Sequence, residues 1–172
     1  DGAGYLWVAT QVGLVRFNGH QFRVYEPKST PGLNHNEINH IVGARDGGLW
    51  VATNGGGLTR YQNGRFSALT EQDGLVSDQV EKLYPDPRGG LWVMTAEGIS
   101  YLRDSTFTNY TRQDGLTKNR THSAVRGPEG HLLVGTDSSL VRAVPGDSLR
   151  FEIDPRYPEL RDRDDVRIIS FF

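Results

Sequence analysis

An all-β fold, a β-propeller made of four-stranded antiparallel blades, is predicted by three observations on this 172-residue chain. A short motif returns with spacings of 43, 42 and 41 residues: Leu6-Trp7-Val8-Ala9-Thr10, Leu49-Trp50-Val51-Ala52-Thr53, Leu91-Trp92-Val93-Met94-Thr95 and the weaker Leu132-Leu133-Val134-Gly135-Thr136. Gly-containing turns punctuate every copy, which gives most of the 21 glycines a role. No apolar period of about 3.6 residues runs for a useful length, so essentially no helix is expected. Four short strands in a repeat of roughly 40 to 45 residues are the pattern of a propeller blade.

Composition sets the outer bounds. A chain of this length buries a real core. The absence of Cys excludes a disulfide scaffold and a Cys-ligated zinc site. With 19 basic against 21 acidic residues, a net charge of -2, neither nucleic acid nor an anionic membrane is an expected partner. No apolar run approaches the roughly 18 residues of a membrane span. The start Asp1-Gly2-Ala3-Gly4 has no Met and no basic, apolar leader, and reads as a fragment.

Each repeat divides into four strands, here a to d. Strand a is the run Ile38-Asn39-His40-Ile41, repeated as Val80-Glu81-Lys82-Leu83 and Thr121-His122-Ser123-Ala124-Val125, and read as alternating. Strand b is the Trp motif, preceded by turns such as Asp46-Gly47-Gly48 and Arg88-Gly89-Gly90. Strand c follows a short turn, as in Gly13-Leu14-Val15-Arg16-Phe17 and Gly57-Leu58-Thr59-Arg60-Tyr61. Asn18-Gly19 and Asn63-Gly64 then signal hairpins, because Asn-Gly tolerates the positive φ angles of a type I′ turn; Asp104-Ser105 and Pro145-Gly146-Asp147 are less ideal versions. Strand d starts near Phe22, Phe66, Phe107 and Phe151. The blades therefore occupy 1–27 (strands b to d), 36–71, 78–112 and 120–153, with a spare strand a at 164–172, sixteen strands in all. That spare strand could complete the first blade and close a ring of four, which would remove unpaired edges. The alternative, and the favoured reading, is a segment of a larger, seven-bladed ring.

The segments Gly74-Leu75-Val76-Ser77-Asp78-Gln79-Val80, Asp86-Pro87-Arg88-Gly89-Gly90-Leu91-Trp92-Val93-Met94-Thr95 and Gly98-Ile99 resemble the two-component regulator propeller repeat, as does Gly13 to Phe22. The fourth blade departs from it, with Leu133 for Trp and Ser138-Ser139 before the apolar residue; Pro155 to Arg163 is also a poor match. The resemblance implies a periplasmic or extracytoplasmic input region of a bacterial hybrid histidine kinase. On that reading its partners are the remaining blades and kinase module of the parent chain, a second copy in a homodimer, and a small-molecule or oligosaccharide ligand. No cofactor and no enzymatic activity are implied for this segment.

Repetition separates scaffold from function. Trp7, Trp50 and Trp92 recur, so they are assigned to packing between blades, where a large ring buries much apolar area. Function belongs where blades differ, on the loops of one face. The d-to-a connections and the b-to-c turns emerge on the same face, and the candidate ligand-binding residues there are Gln11, His35, Asn36, Asn54, Asp78, Gln79, Glu97, Arg120, His122 and Asp137. Amides, carboxylates and Arg offer the hydrogen bonds a hydroxyl-rich ligand needs. Tyr84 could add an aromatic face, with burial against a neighbour as the plainer reading.

Other signals lead nowhere. Gly146-Asp147-Ser148-Leu149 spells a lipase-type tetrapeptide but falls at a hairpin, and His122-Ser123 point to opposite faces of a strand. The five histidines lack metal-site spacing, and Asp162-Arg163-Asp164-Asp165 lacks the loop of an EF-hand. Two rivals to the sensor remain: a protein-interaction scaffold, which would show an apolar patch on the outer strands, and a propeller lyase or hydrolase, which needs a His and a carboxylate within about 3 Å.

Overall fold

The computed structural model describes residues 4–127, 130–145 and 148–157. Among these residues, four antiparallel sheets follow one another, one per repeat. The first holds β1 (Leu6–Thr10), β2 (Gly13–Phe17) and β3 (Phe22–Tyr25). The second holds β4 (Ile38–Gly43), β5 (Leu49–Thr53), β6 (Leu58–Gln62) and β7 (Arg65–Leu69). The third comprises β8 (Val80–Pro85), β9 (Leu91–Thr95), β10 (Ile99–Arg103) and β11 (Thr106–Tyr110); the fourth, β12 (Thr121–Arg126), β13 (Leu132–Thr136), β14 (Leu140–Val144) and β15 (Arg150–Ile153). Strand order within each sheet is the chain order. The innermost strands face one another between blades, β4 against β8 and β8 against β12. The expected strand at 164–172, and with it any closure onto the first blade, lies outside the described residues.

Two three-residue 3-10 turns, Glu71–Asp73 and Arg112–Asp114, are the helical content of the described residues. Both sit in d-to-a connections, where Asp73 and Asp114 accept from the backbone N–H of Thr70 and Thr111 at 2.9 and 2.8 Å.

Among the described residues, three apolar clusters lie one at each junction between successive blades. Trp7 packs on Tyr25 of its own blade and Tyr61 of the next, with ring centroids 5.7 and 4.7 Å away. Trp50 joins Leu83, Leu91 and Val93 between the second and third blades. Trp92 joins Leu132, Val134 and Phe151 between the third and fourth. The repeated tryptophans are thus interblade packing residues. The repeated Thr closes the turn after strand b: Thr10, Thr53, Thr95 and Thr136 donate through Oγ1 to the carbonyls of Gly13, Gly57, Gly98 and Ser139 at 2.6 to 3.1 Å.

One expectation is corrected. Strand a does not alternate. A β-bulge interrupts its pairing with strand b at the same place in three blades, between Ile38 and His40, Val80 and Lys82, and Thr121 and Ser123. The bulged strand must bend, and the extra residue (Asn39, Glu81 or His122) is left out of the ladder.

The first blade differs from the others in what covers it. Leu6 and Val8 are 60% and 39% exposed, whereas their counterparts Leu49 and Val51 are 3% and 0%. Phe22 and Val24 continue this bare apolar face through the register Leu6–Phe17–Phe22 and Val8–Val15–Val24.

Candidate functional site

The candidate site is the face formed by the b-to-c turns, the d-to-a connections and the bulges of strand a. Its framework is backbone. Asp78 O accepts from Gly55 N and Gly57 N at 3.1 and 3.0 Å, and Asn54 pairs with Gln79 in an isolated bridge, so the connection between the second and third blades is stitched to the turn of the blade it leaves. The Asp78 carboxylate faces back into this stitching: Oδ1 accepts from Glu71 N at 2.8 Å, while Asp78 N donates to Glu71 Oε1 at 3.1 Å. Asn119 repeats the arrangement one blade on, accepting from Arg112 N at 3.1 Å. Recurrence marks Asp78 as a tie for the 3-10 turn.

The other predicted residues are distributed unevenly. His122 Nε2 lies 2.6 Å from Asp137 Oδ1, uniting two of them in the fourth blade. Arg120 Nη2 donates to Glu81 Oε1 at 2.6 Å, across the junction of the third and fourth blades. Asn54 Nδ2 donates to Glu37 Oε2 at 2.9 Å. His35 is half-buried and accepts through Nδ1 from Glu37 N at 3.1 Å. Gln79 is exposed and contributes its carbonyl to Ala96 N at 3.1 Å. Gln11, Asn36 and Glu97 are exposed and make no side-chain hydrogen bond among the described residues.

Asn39 and Glu81 belong to this face although the repeat comparison passed over them, and Glu37 stands beside His35 and Asn36 in the connection that comparison did single out. Asn39 and Glu81 are the bulge residues equivalent to His122, and Asn39 Nδ2 donates to Val80 O of the next blade at 2.8 Å. The signal was in the spacing of apolar residues, Ile38 to Ile41 and Val80 to Leu83: a gap of three where an unbroken strand needs two. Next to Asn39, His40 is half-buried, and burial, aided by Lys82, holds its imidazole below the usual histidine range. Tyr84 packs on the cluster around Trp92 rather than lining this face. Among the described residues, no group of three His, Asp or Glu side chains is arranged to hold a metal ion.

The chemistry on offer is therefore an acidic rim, Glu37, Glu81, Glu97 and Asp137, relieved by Arg120 and His122. Carboxylates are pure acceptors and suit ligands rich in hydroxyl donors.

Comparisons with known proteins follow the same lines. Residues 32–55 match the two component regulator propeller family. The chain is similar to the extracellular domain described for a hybrid two component system of B. thetaiotaomicron, at 28% identity over 90% of this chain and 24% of that one, with a TM-score of 0.78. It is similar in fold to PorZ, a surface component of the type-IX secretion system of Porphyromonas gingivalis, at 17% identity over 81% of this chain and 24% of that one, TM-score 0.63. It is likewise similar to virginiamycin B lyase from Staphylococcus aureus, at 15% identity over 90% of this chain and 54% of that one, TM-score 0.64. The last two show the fold alone. The chain spans about a quarter of the length of the two-component relative. No protein of curated function matches it. No helix among the described residues is long and apolar enough to cross a membrane.

Proposed function

For a chain that carries the two component regulator propeller repeat, we propose a role as part of the extracytoplasmic input region of a bacterial two-component sensor. The observation that carries this reading is the 28% identity, held over 90% of the chain, with the extracellular domain of a hybrid two component system. The bare face of Leu6, Val8, Phe22 and Val24 fits it, since the counterparts of Leu6 and Val8 in later blades, Leu49 and Val51, Leu91 and Val93, Leu132 and Val134, are buried in the clusters between blades. We assign that face to a further blade of the same receptor. Its other partner is a small hydroxyl-rich ligand, an oligosaccharide in the simplest case, taken up at the acidic rim. Binding that favours one arrangement of propellers would bias the receptor and carry the signal.

The test is a thermal-shift screen of neutral and acidic oligosaccharides on the complete ectodomain. A saturable rise in Tm that disappears in His122→Ala and Glu81→Gln supports the rim as the site. A flat response across the glycan classes removes the ligand.

A catalytic reading is favoured by one observation, the 2.6 Å contact of His122 with Asp137, which meets the geometric demand for a base and its orienting carboxylate. It predicts product formation from a bound ligand, whereas the sensor reading predicts that the ligand is recovered unchanged.

A further inference from the structure

The repeat supplies an internal template for a second site, at the opposite end of the sheets from the rim. The a-to-b turn has the same backbone in three blades: Ala44 N, Asp86 N and Gly127 N donate to the carbonyls of Gly48, Gly90 and His131 at 2.8, 3.1 and 2.9 Å, and the return bonds to Ala44, Asp86 and Gly127 are 3.0, 2.9 and 2.9 Å. Residues 44, 86 and 127 are therefore equivalent. In the third blade this position is a buried carboxylate. Asp86 Oδ2 accepts the Trp92 indole N–H at 3.0 Å and Arg126 Nη2 at 2.8 Å.

In the second blade the tryptophan is kept and the carboxylate is not. Trp50 pairs with Val42 just as Trp92 pairs with Tyr84, so both indoles leave the sheet at one register. Ala44 stands where Asp86 would be, and Trp50 Nε1 has no hydrogen-bond partner among the described residues. Trp50 is half-buried. Its ring carries the Arg60 guanidinium 4.7 Å from the centroid, whereas Trp92 carries Tyr101. Around them is a cavity of about 360 Å³ between the second and third blades. Leu69, Pro85, Leu91 and Leu102 supply apolar wall, with Arg45 and Arg103 on exposed positions at the rim. Asp46, which also lines it, is already engaged by Arg60 and by Gln62 Nε2, the latter at 2.9 Å.

We propose that this cavity binds a small organic carboxylate, whose carboxyl group takes up beside Trp50 Nε1 the place that Asp86 occupies beside Trp92 Nε1. The indole N–H is a directional donor, Arg45 leaves the lining with a net positive charge because Arg60 and Arg103 are paired with Asp46 and Asp104, and the leucines accept an apolar body. A charge-assisted hydrogen bond is stronger than a neutral one, so the carboxylate is favoured over its amide. The site goes beyond the sensor reading and stands independently of any ligand at the rim.

Benzoate is the probe, with benzamide as its neutral counterpart, and the readout is the indole N–H resonance of Trp50 in the full chain, identified by its loss in Trp50→Phe. Benzoate should shift that resonance saturably and leave those of Trp7 and Trp92 in place. Benzamide, by the same resonance, and benzoate with the Trp50→Phe variant, by calorimetric titration, should each bind about tenfold or more weakly, the loss of one hydrogen bond to a charged group. Ala44→Asp places the carboxylate in the chain: it should raise Tm, shift the Trp50 resonance without ligand, and abolish the response to benzoate. His122→Ala should bind benzoate normally, which separates this result from the fate of the rim. The proposal is overturned if benzoate gives no saturable shift, if benzamide binds equally well, or if folded Ala44→Asp retains wild-type affinity.

Discussion

Trp92 donates its indole N–H to Asp86 at 3.0 Å, and the same carboxylate oxygen receives Arg126 of the next blade at 2.8 Å. The other oxygen takes Arg88 N at 2.9 Å. One buried side chain thus pins a packing tryptophan, its own turn and the adjoining blade. Burial pushes the Asp86 carboxyl pKa up, yet the donors from Arg88, Trp92 and Arg126 together hold it below the usual carboxylate range. Asp86→Ala leaves Arg126 over a hole, and Arg126 Nε already lacks a partner. The expected loss is about 3–5 kcal/mol, the cost of removing one member of a buried ion pair. Urea unfolding at pH 7 measures it. Because the folded pKa is depressed, this contribution is present above the ordinary Asp value and is lost as pH falls through the folded one. The difference between wild type and Asp86→Ala should therefore narrow on strong acidification.

His40 gives a second pH dependence with its own window. Burial, and then Lys82, lowers its pKa, so the folded protein binds fewer protons here than the unfolded chain does. Stability should fall as pH drops below about 6.5, where the unfolded histidine takes up its proton. His40→Gln keeps a polar side chain but does not titrate. Between pH 7 and 5.5 its urea midpoint should decline less than that of wild type; parallel slopes would sink the assignment.

Two glycines that look alike in the sequence should behave differently. Both Gly64 and Gly115 have positive φ, 80° and 99°. A Cβ on Gly64 meets nothing within 4 Å, whereas one on Gly115 would sit 1.9 Å from Phe151 O in the outer strand of the fourth blade. Gly64→Ala should cost only the left-handed penalty, about 1–2 kcal/mol. Gly115→Ala must also displace β15 from the connection, and its thermal melt should show a far larger loss.

The contrast explains what the repeat could and could not disclose. Positions that recur, such as Trp92 and the turn glycines, are legible because every blade needs them for the same physical reason. The hairpin at Asp104-Ser105 looked poor but adopts the geometry of Asn63-Gly64, with both central residues at positive φ (49° and 62° against 50° and 80°), since strand pairing dictates the turn. Bulges were missed because a gap of three apolar positions resembles a loose alternation until the ladder is seen. The distinction between Ala44 and Asp86 is visible in the sequence, yet its meaning depends on the indole N–H above it. The bond of Asp78 to Glu71 N was not legible either, because that partner is a backbone group and no side-chain pattern announces it.

Asp78 and Arg120 separate scaffold from site in an experiment. Asp78 Oδ1 satisfies Glu71 N at the start of a 3-10 turn, a contact of the kind that caps helices. Asp78→Ala should cost about 0.5–2 kcal/mol of stability by that comparison. Arg120 makes its ion pair with Glu81 in the open, with side chains 52% and 23% exposed, and water screens such a pair. Arg120→Ala should therefore change stability by less than about 1 kcal/mol. For an oligosaccharide bound at the rim the order reverses. Arg120→Ala frees Glu81 and removes a donor from the ligand's surroundings, so affinity should change, whereas Asp78→Ala should leave it as it was once the protein is held below its lowered Tm. Calorimetric titration of both variants beside their urea midpoints decides the matter: if affinity tracks stability through the pair, the rim is framework and the ligand binds elsewhere.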